Sequence, residues 1–315
     1  MGGEKSFIVA GGMRRMNRNW LMEAVAKAVP GLEGERIASV RQARGGDIGE
    51  SYCVETEKRR LFVKLRTDMP ADLFRREAEG LKLLGRAEAL AVPEPLYAGE
   101  IPGREGSGGM LALEWIETGP ARPETIEALG AGLAAQHRRM SPDGRYGLHM
   151  DNYIGLLPQA NGPRDSWVDF YRDRRLLPLA KLAESRGLLP KGRRDALYRL
   201  MERLGAWLPD RPAASLLHGD LWGGNWLAGA DGRPWLIDPA VYYGDRECDL
   251  AFSELFGGFP ARFYAAYREA YPLDGGYEER KPIYQLYHLL VHLILFGEAY
   301  GPGVDRVLRR YAGSA

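Results

Sequence analysis

The chain has 315 residues, 45% of them hydrophobic, with 43 Lys and Arg against 42 Asp and Glu for a net charge of +1. That balance gives no basic footprint for nucleic acid, and the length suits one large domain or two lobes with real cores. The only cysteines, Cys53 and Cys248, form no disulfide framework, and no apolar run reaches membrane-spanning length. The expectation is a cytoplasmic protein with no nucleic-acid or membrane partner, its oligomeric state open and a monomer the default.

Residues 1–16, opening MGGEKSFIVAGG, resemble neither a secretory signal nor an anchor and are expected to be a disordered extension, with Met13 or Met16 as alternative starts. Residues 19–29 read as a helix with Trp20, Leu21, Ala24, Val25 and Ala28 on one face. Strands are predicted over 37–44, 52–56 and 61–65, followed by a helix from Asp72 with that residue as N-cap. Pro93 and Pro95 end this region, and two more strands follow at 96–100 and 110–116. Helices dominate beyond Trp115: 123–139, 166–187, 191–208, 247–256, 260–270 and 280–299. The order implies an α+β protein with a small β lobe over 17–117, a larger helical lobe over 118–315, and a junction near Glu114 to Thr118.

The chemistry concentrates between Leu217 and Asp249. Asp220 precedes Asn225 by four intervening residues, and Asp238 closes a later apolar run. Trp226–Ala228, a turn over 229–233 and a return strand over 235–237 make a hairpin whose open ends carry Asn225 and Asp238. Both offer oxygen to one Mg²⁺, and Asp220 could serve an attacking hydroxyl, which is the equipment of phosphoryl transfer. Gly219, Gly223 and Gly224 would permit close backbone approach around Asp220.

In the first lobe, Gly45 and Gly46 belong to a turn between strands that could fold over nucleotide phosphates or be purely structural. Lys64 is either a solvated edge charge or a point charge on the phosphates, held by Glu77 or, second, by Glu79. Backbone groups at Glu114 and Ile116, around Trp115, could meet an adenine edge where the lobes join.

The chain carries the segments GGDIGESY, FVK, FRREAEGL, HMDNYIGLLPQANG with WVDFYRDRRL, HGDLWGGN, IDPAVYYGDRE and LFGGF. On these segments, from about Trp20 onward, it resembles the fructosamine kinase (ketosamine 3-kinase) family, related to aminoglycoside phosphotransferases and choline kinases. It implies a bilobal protein-kinase-like fold with a small antiparallel sheet and one helix in the first lobe. By the same resemblance, Asp220 would be the catalytic base, Asn225 and Asp238 would hold Mg²⁺, and Lys64, paired with Glu77, would meet the phosphates of ATP. Residues 114–116 would take the adenine. Trp222 is either a stacking platform for the sugar or a packed aromatic, His218 orients the loop, and Asp249 braces it. The implied reaction is ATP-dependent phosphorylation of O3 of a ketosamine, on free lysine or a glycated protein, in deglycation. The alternatives are an aminoglycoside- or choline-type phosphotransferase and a non-catalytic kinase-fold binding protein. Two departures matter: Asp47 stands where some members carry a loop cysteine, and Asp238 is followed by Pro-Ala, so neither thiol switching nor activation-loop control is expected.

Overall fold

In this computed structural model the described residues are 18–32, 35–43, 50–103 and 108–311. The expected extension over 1–16 lies outside them, as does the turn with Gly45 and Gly46.

Five antiparallel strands form the first sheet: β1 (Ile37–Gln42), β2 (Glu50–Thr56), β3 (Arg60–Arg66), β4 (Pro95–Glu100) and β5 (Gly109–Glu114). Their order is β1-β2-β3-β5-β4, so β3 is central and paired on both sides. Alternation along the strands feeds two faces. Leu61, Val63, Leu65, Met110 and Ala112 pack with Leu21, Ala24 and Val25 of helix α1 (Arg18–Ala28). On the other face, Phe62, Leu111 and Leu113 pack with Leu73, Phe74, Ala78 and Leu81 of helix α2 (Asp72–Arg86). Lys64, two residues after Phe62, therefore points to the α2 side, where Glu77 waits. Asp72 is the first residue of α2 rather than its N-cap, which is Ala71; its carboxylate pairs with Arg76 one turn on and favours the positive helix end.

The second half is mostly helical. Helix α3 (Pro123–His137) lies against α8 (Ala261–Ala270) through Ile126, Leu129, Leu133, Phe263 and Tyr267. The largest core surrounds Trp167 and joins α4 (Trp167–Phe170), α5 (Leu177–Ser185), α6 (Lys191–Glu202) and α9 (Tyr277–Phe296). Helix α7 (Glu247–Ser253) lies beside α9. The single helix read over 166–187 is interrupted by a π-helical stretch, Tyr171–Leu176, and the one over 191–208 ends at Glu202 before a short 3-10 turn. Helix α10 (Gly301–Tyr311) opens on Gly-Pro-Gly, a sequence that reads as loop, yet Val304, Val307 and Leu308 are buried. Two short pairings were also unread: β6 (Asn152–Ile154) with β7 (Leu157–Gln159), and β8 (Ser215–Leu217) with β11 (Tyr242–Gly244). The expected hairpin is there as β9 (Trp226–Ala228) and β10 (Pro234–Leu236). Among the described residues no helix is long and apolar enough to cross a membrane.

The halves are stitched at the junction. The Gly119 amide donates to Ala228 O at 2.9 Å, Ala230 to Glu117 O at 2.7 Å and Leu236 to Ala91 O at 2.8 Å. The tip and outer strand of the β9–β10 hairpin are thus fixed to the first lobe and its connector.

Candidate active site

A cleft of about 840 Å³, open to solvent, separates the sheet and α2 from the second half. Lys64 and Glu77 line it from one side; Asp220, Trp222, Asn225 and Asp238 line it from the other.

Lys64 donates to Glu77 Oε1 at 2.7 Å and pairs directly with Asp238 across the cleft. Burial alone would lower the pKa of this ammonium, but the carboxylates of Asp238 and Glu77 override it and hold Lys64 above its ordinary range. Burial and the Asp238 charge push Glu77 up while Lys64 draws it down; with one ammonium between two carboxylates, the charged lysine is the stable feature. Glu79 points elsewhere and pairs with Lys82, because two residues along a helix turn the side chain by about 200°.

The loop between β8 and β9 carries the second group. Gly219 has φ of +81°, and a Cβ there would overlap Ala240 O, so this position takes no side chain. Its tight fit is to backbone rather than to the open cleft. Asp249, at the start of α7, accepts from the amides of His218 (2.8 Å) and Gly219 (2.9 Å). Burial by itself would raise this carboxyl, but the His137 ring, 3.1 Å away, and the Gly219 amide hold it below the usual carboxylate range. Burial pulls the His218 pKa down. The neutral ring donates from Nε2 to Ile237 O at 2.9 Å and accepts the Asp220 amide at Nδ1 at 3.2 Å. It orients the loop in the cleft wall.

Asn225 Nδ2 donates to Asp220 O at 2.8 Å and to Asp220 Oδ2 at 2.9 Å, which turns the Asp220 carboxylate to a fixed angle. Asp238 has φ of +54°, rare for a non-glycine residue. The Ile237 amide before it donates to Asn225 O at 3.1 Å, and the Ala240 amide after it donates to His218 O at 2.9 Å. A Cβ on Gly224 would strike the Trp222 ring, so the ring lies across that glycine at the cleft. Gly223 has nothing near its Cβ position.

Residues 114–116 do not line this cleft. The Glu114 amide is spent on Glu94 O at 3.0 Å, so among its backbone groups only the carbonyl could meet an adenine edge. The Trp115 ring lies 6.4 Å from Phe62 and beneath Arg60. Sequence reading missed Ser51, Arg66, Arg76, Asn152 and Tyr153, which also line the cleft. Asn152 and Tyr153 belong to the Asp-Asn-Tyr-Ile-Gly segment, but nothing in a three-residue strand announces where it docks.

The fold and the cleft between its halves define a phosphotransferase of the protein-kinase-like class. A family model described as fructosamine kinase matches residues 21–313, and the chain belongs to that family. It is 40% identical over 279 residues to a Lactiplantibacillus plantarum protein named "probable ketoamine kinase", covering 87% of this chain and 95% of that one. It is 35% identical over 282 residues to the chloroplastic protein-ribulosamine 3-kinase of Oryza sativa subsp. indica, covering 88% and 79%. A Thermobifida fusca crystal structure named for fructosamine-3-kinase superposes with a TM-score of 0.81 at 35% identity, covering 94% and 99%. An aminoglycoside phosphotransferase aligns with a TM-score of 0.61 at 16% identity, covering 95% and 100%, which shows shared fold alone.

Proposed function

We propose that the protein transfers the γ-phosphoryl group of ATP to O3 of the sugar of a ketosamine, a ribulosamine or fructosamine carried on lysine or on a protein amine. The 3-phosphate then decomposes and releases the amine, so the role is deglycation. In this reading residues 17–117 bind nucleotide and 118–315 supply the acceptor site and the catalytic groups. The observation that carries it is the convergence of Asp220, Asn225, Asp238 and the Lys64–Glu77 pair on one cleft, in a chain of this family.

The acceptor oxygen attacks the γ-phosphorus as the bond to ADP breaks in line. Asp220 takes the hydroxyl proton, its carboxylate already aimed by Asn225. Positioned proton transfer of this kind contributes about 10²–10⁴-fold. Lys64 meets the phosphates, with Glu77 holding the ammonium in place. Trp222, spread over Gly224, offers the sugar a flat apolar face.

The residues fit a divalent cation. Asp238 already draws a cationic group, the Lys64 ammonium. Asn225 engages its amide nitrogen with Asp220, leaving the amide oxygen as a ligand atom. One carboxylate and one amide oxygen suit Mg²⁺, which usually completes its shell with phosphates and water. Mg²⁺ would supply charge neutralisation on the transferring phosphates.

An ATP-consumption assay across ribulose-, erythrulose- and fructose-lysine, with aminoglycosides and choline as controls, tests the reading. Turnover is expected with ketosamines; activity confined to the controls would overturn it.

A further inference from the structure

The π-helical stretch Tyr171–Leu176 carries Arg175, whose side chain is fully buried. π-helical turns in helices occur often at functional sites. The guanidinium lies 3.9 Å from the Tyr242 ring centroid and 4.6 Å from that of Phe170. It has no carboxylate partner among the described residues, so its burial is costly for a job of packing alone.

What Arg175 does is donate. It reaches Ala160 O at 2.6 Å and Asn161 Oδ1 at 2.8 Å. Because a guanidinium cannot accept, Asn161 must turn its oxygen towards Arg175 and its nitrogen away. That nitrogen donates to Asn152 Oδ1 at 2.8 Å, so Asn152 in turn presents its nitrogen to Val241 O at 2.9 Å. Gln159 joins the same node, donating to Asn152 Oδ1 at 2.8 Å and to Ala240 O at 3.0 Å while accepting from Tyr287 at 2.6 Å. Asn152, Gln159 and Asn161 are all buried. One cation thereby sets the direction of three amides, and the chain of donors ends on the carbonyls of Ala240 and Val241.

Those carbonyls follow Asp238 by two and three residues, and Asp238 has the left-handed backbone that its surroundings must enforce. The catalytic loop holds the near side through Asn225 and His218; the amide network holds the far side.

We propose that Arg175, Asn161, Asn152 and Gln159 form a positioning relay that fixes the backbone at Asp238 and so sets its affinity for a divalent cation. The inference rests on reading Asp238 as a cation ligand. The test titrates Mn²⁺ into the enzyme–ADP complex by electron paramagnetic resonance, for wild type, Gln159→Met and Arg175→Met, well below each variant's melting temperature. Residues that orient metal ligands typically cost about 10–100-fold in metal affinity when lost, and a rise of at least about tenfold in the half-saturating Mn²⁺ is expected. Binding of ADP in EDTA should not change, and lost turnover should partly return at high Mg²⁺. Unchanged Mn²⁺ affinity in variants whose melting temperature falls would overturn the proposal and leave the network a purely structural one. If Arg175→Met does not fold, Gln159→Met carries the same test with the cation still in place. A wild type that binds Mn²⁺–ADP yet phosphorylates no ketosamine would reject the substrate assignment and leave this inference standing.

Discussion

At the residue scale, the cleft is a set of side chains whose directions are decided by neighbours rather than by themselves. Asp220 owes its angle to Asn225, five residues on, and its backbone to His218 and Asp249. If it is the base, Asp220→Ala should lower turnover by about 10²–10⁴-fold while the dissociation constant for ATP, measured by calorimetry, stays unchanged. Gly224 matters for a different reason: any Cβ displaces the Trp222 ring. Aromatic stacking of this kind is worth about 0.5–1.5 kcal/mol, so Gly224→Ala should raise KM for the ketosamine several-fold and leave KM for ATP alone. An equal rise in both would mean the ring serves packing and not the acceptor. Asp220, Asn225 and Asp238 were legible because their spacing in one short segment is chemically unusual. Lys64 and Glu77 were legible only as a pair of options, since a strand lysine followed by two helix glutamates fits several geometries. Asn152 was not legible as a cleft residue, because its partners lie at Gln159, Asn161 and Val241.

At the scale of elements, α7 shows how a helix start can carry a charge cost. Asp245, just before α7, accepts from the Glu247 amide at 3.0 Å and from the Tyr284 hydroxyl at 2.6 Å, and burial pushes its carboxyl up to about 6. A folded-state pKa above the unfolded one adds stability that is fully present below about pH 4 and lost as pH rises through 6. Asp245→Asn removes that dependence. Urea denaturation should therefore show the wild type gaining on the variant by about 2 kcal/mol between pH 8 and pH 4. A constant difference across that range would show that the carboxyl does not titrate there. Long amphipathic helices and the strands of the first sheet were readable because their period repeats over many residues. The π-helical stretch, α10 and the short strands β6, β7, β8 and β11 were not. A π insertion leaves composition unchanged, and Gly-Pro-Gly reads as a loop until Val304, Val307 and Leu308 are seen to be buried. Strands β8 and β11 exist only because each finds its partner well along the chain, and β6 and β7 carry too few residues for a period to show.

At the scale of the whole molecule, Lys64 and Asp238 are 174 positions apart and meet across the cleft. That ion pair ties the halves together through the same two groups that nucleotide and cation would claim. Ligand at about 100 times its dissociation constant adds about 2.7 kcal/mol to stability. The melting temperature should accordingly rise with ATP and Mg²⁺ more than with ATP and EDTA, and the difference between the two should vanish in Asp238→Ala. A difference that persists in the variant would place the cation elsewhere.

The sequence by itself determined the two-part layout, the hairpin between Asn225 and Asp238, and the kind of chemistry, because periodicity, turn residues and an ordered set of carboxylates are local properties. Only the tertiary structure decided that Glu77 and not Glu79 holds Lys64, that Gly219 is packed against Ala240 O, and that Arg175 governs amides beside Asp238. Those choices depend on which face of a helix or strand meets which neighbour, and a side chain's direction in space is fixed by packing between segments far apart in the chain.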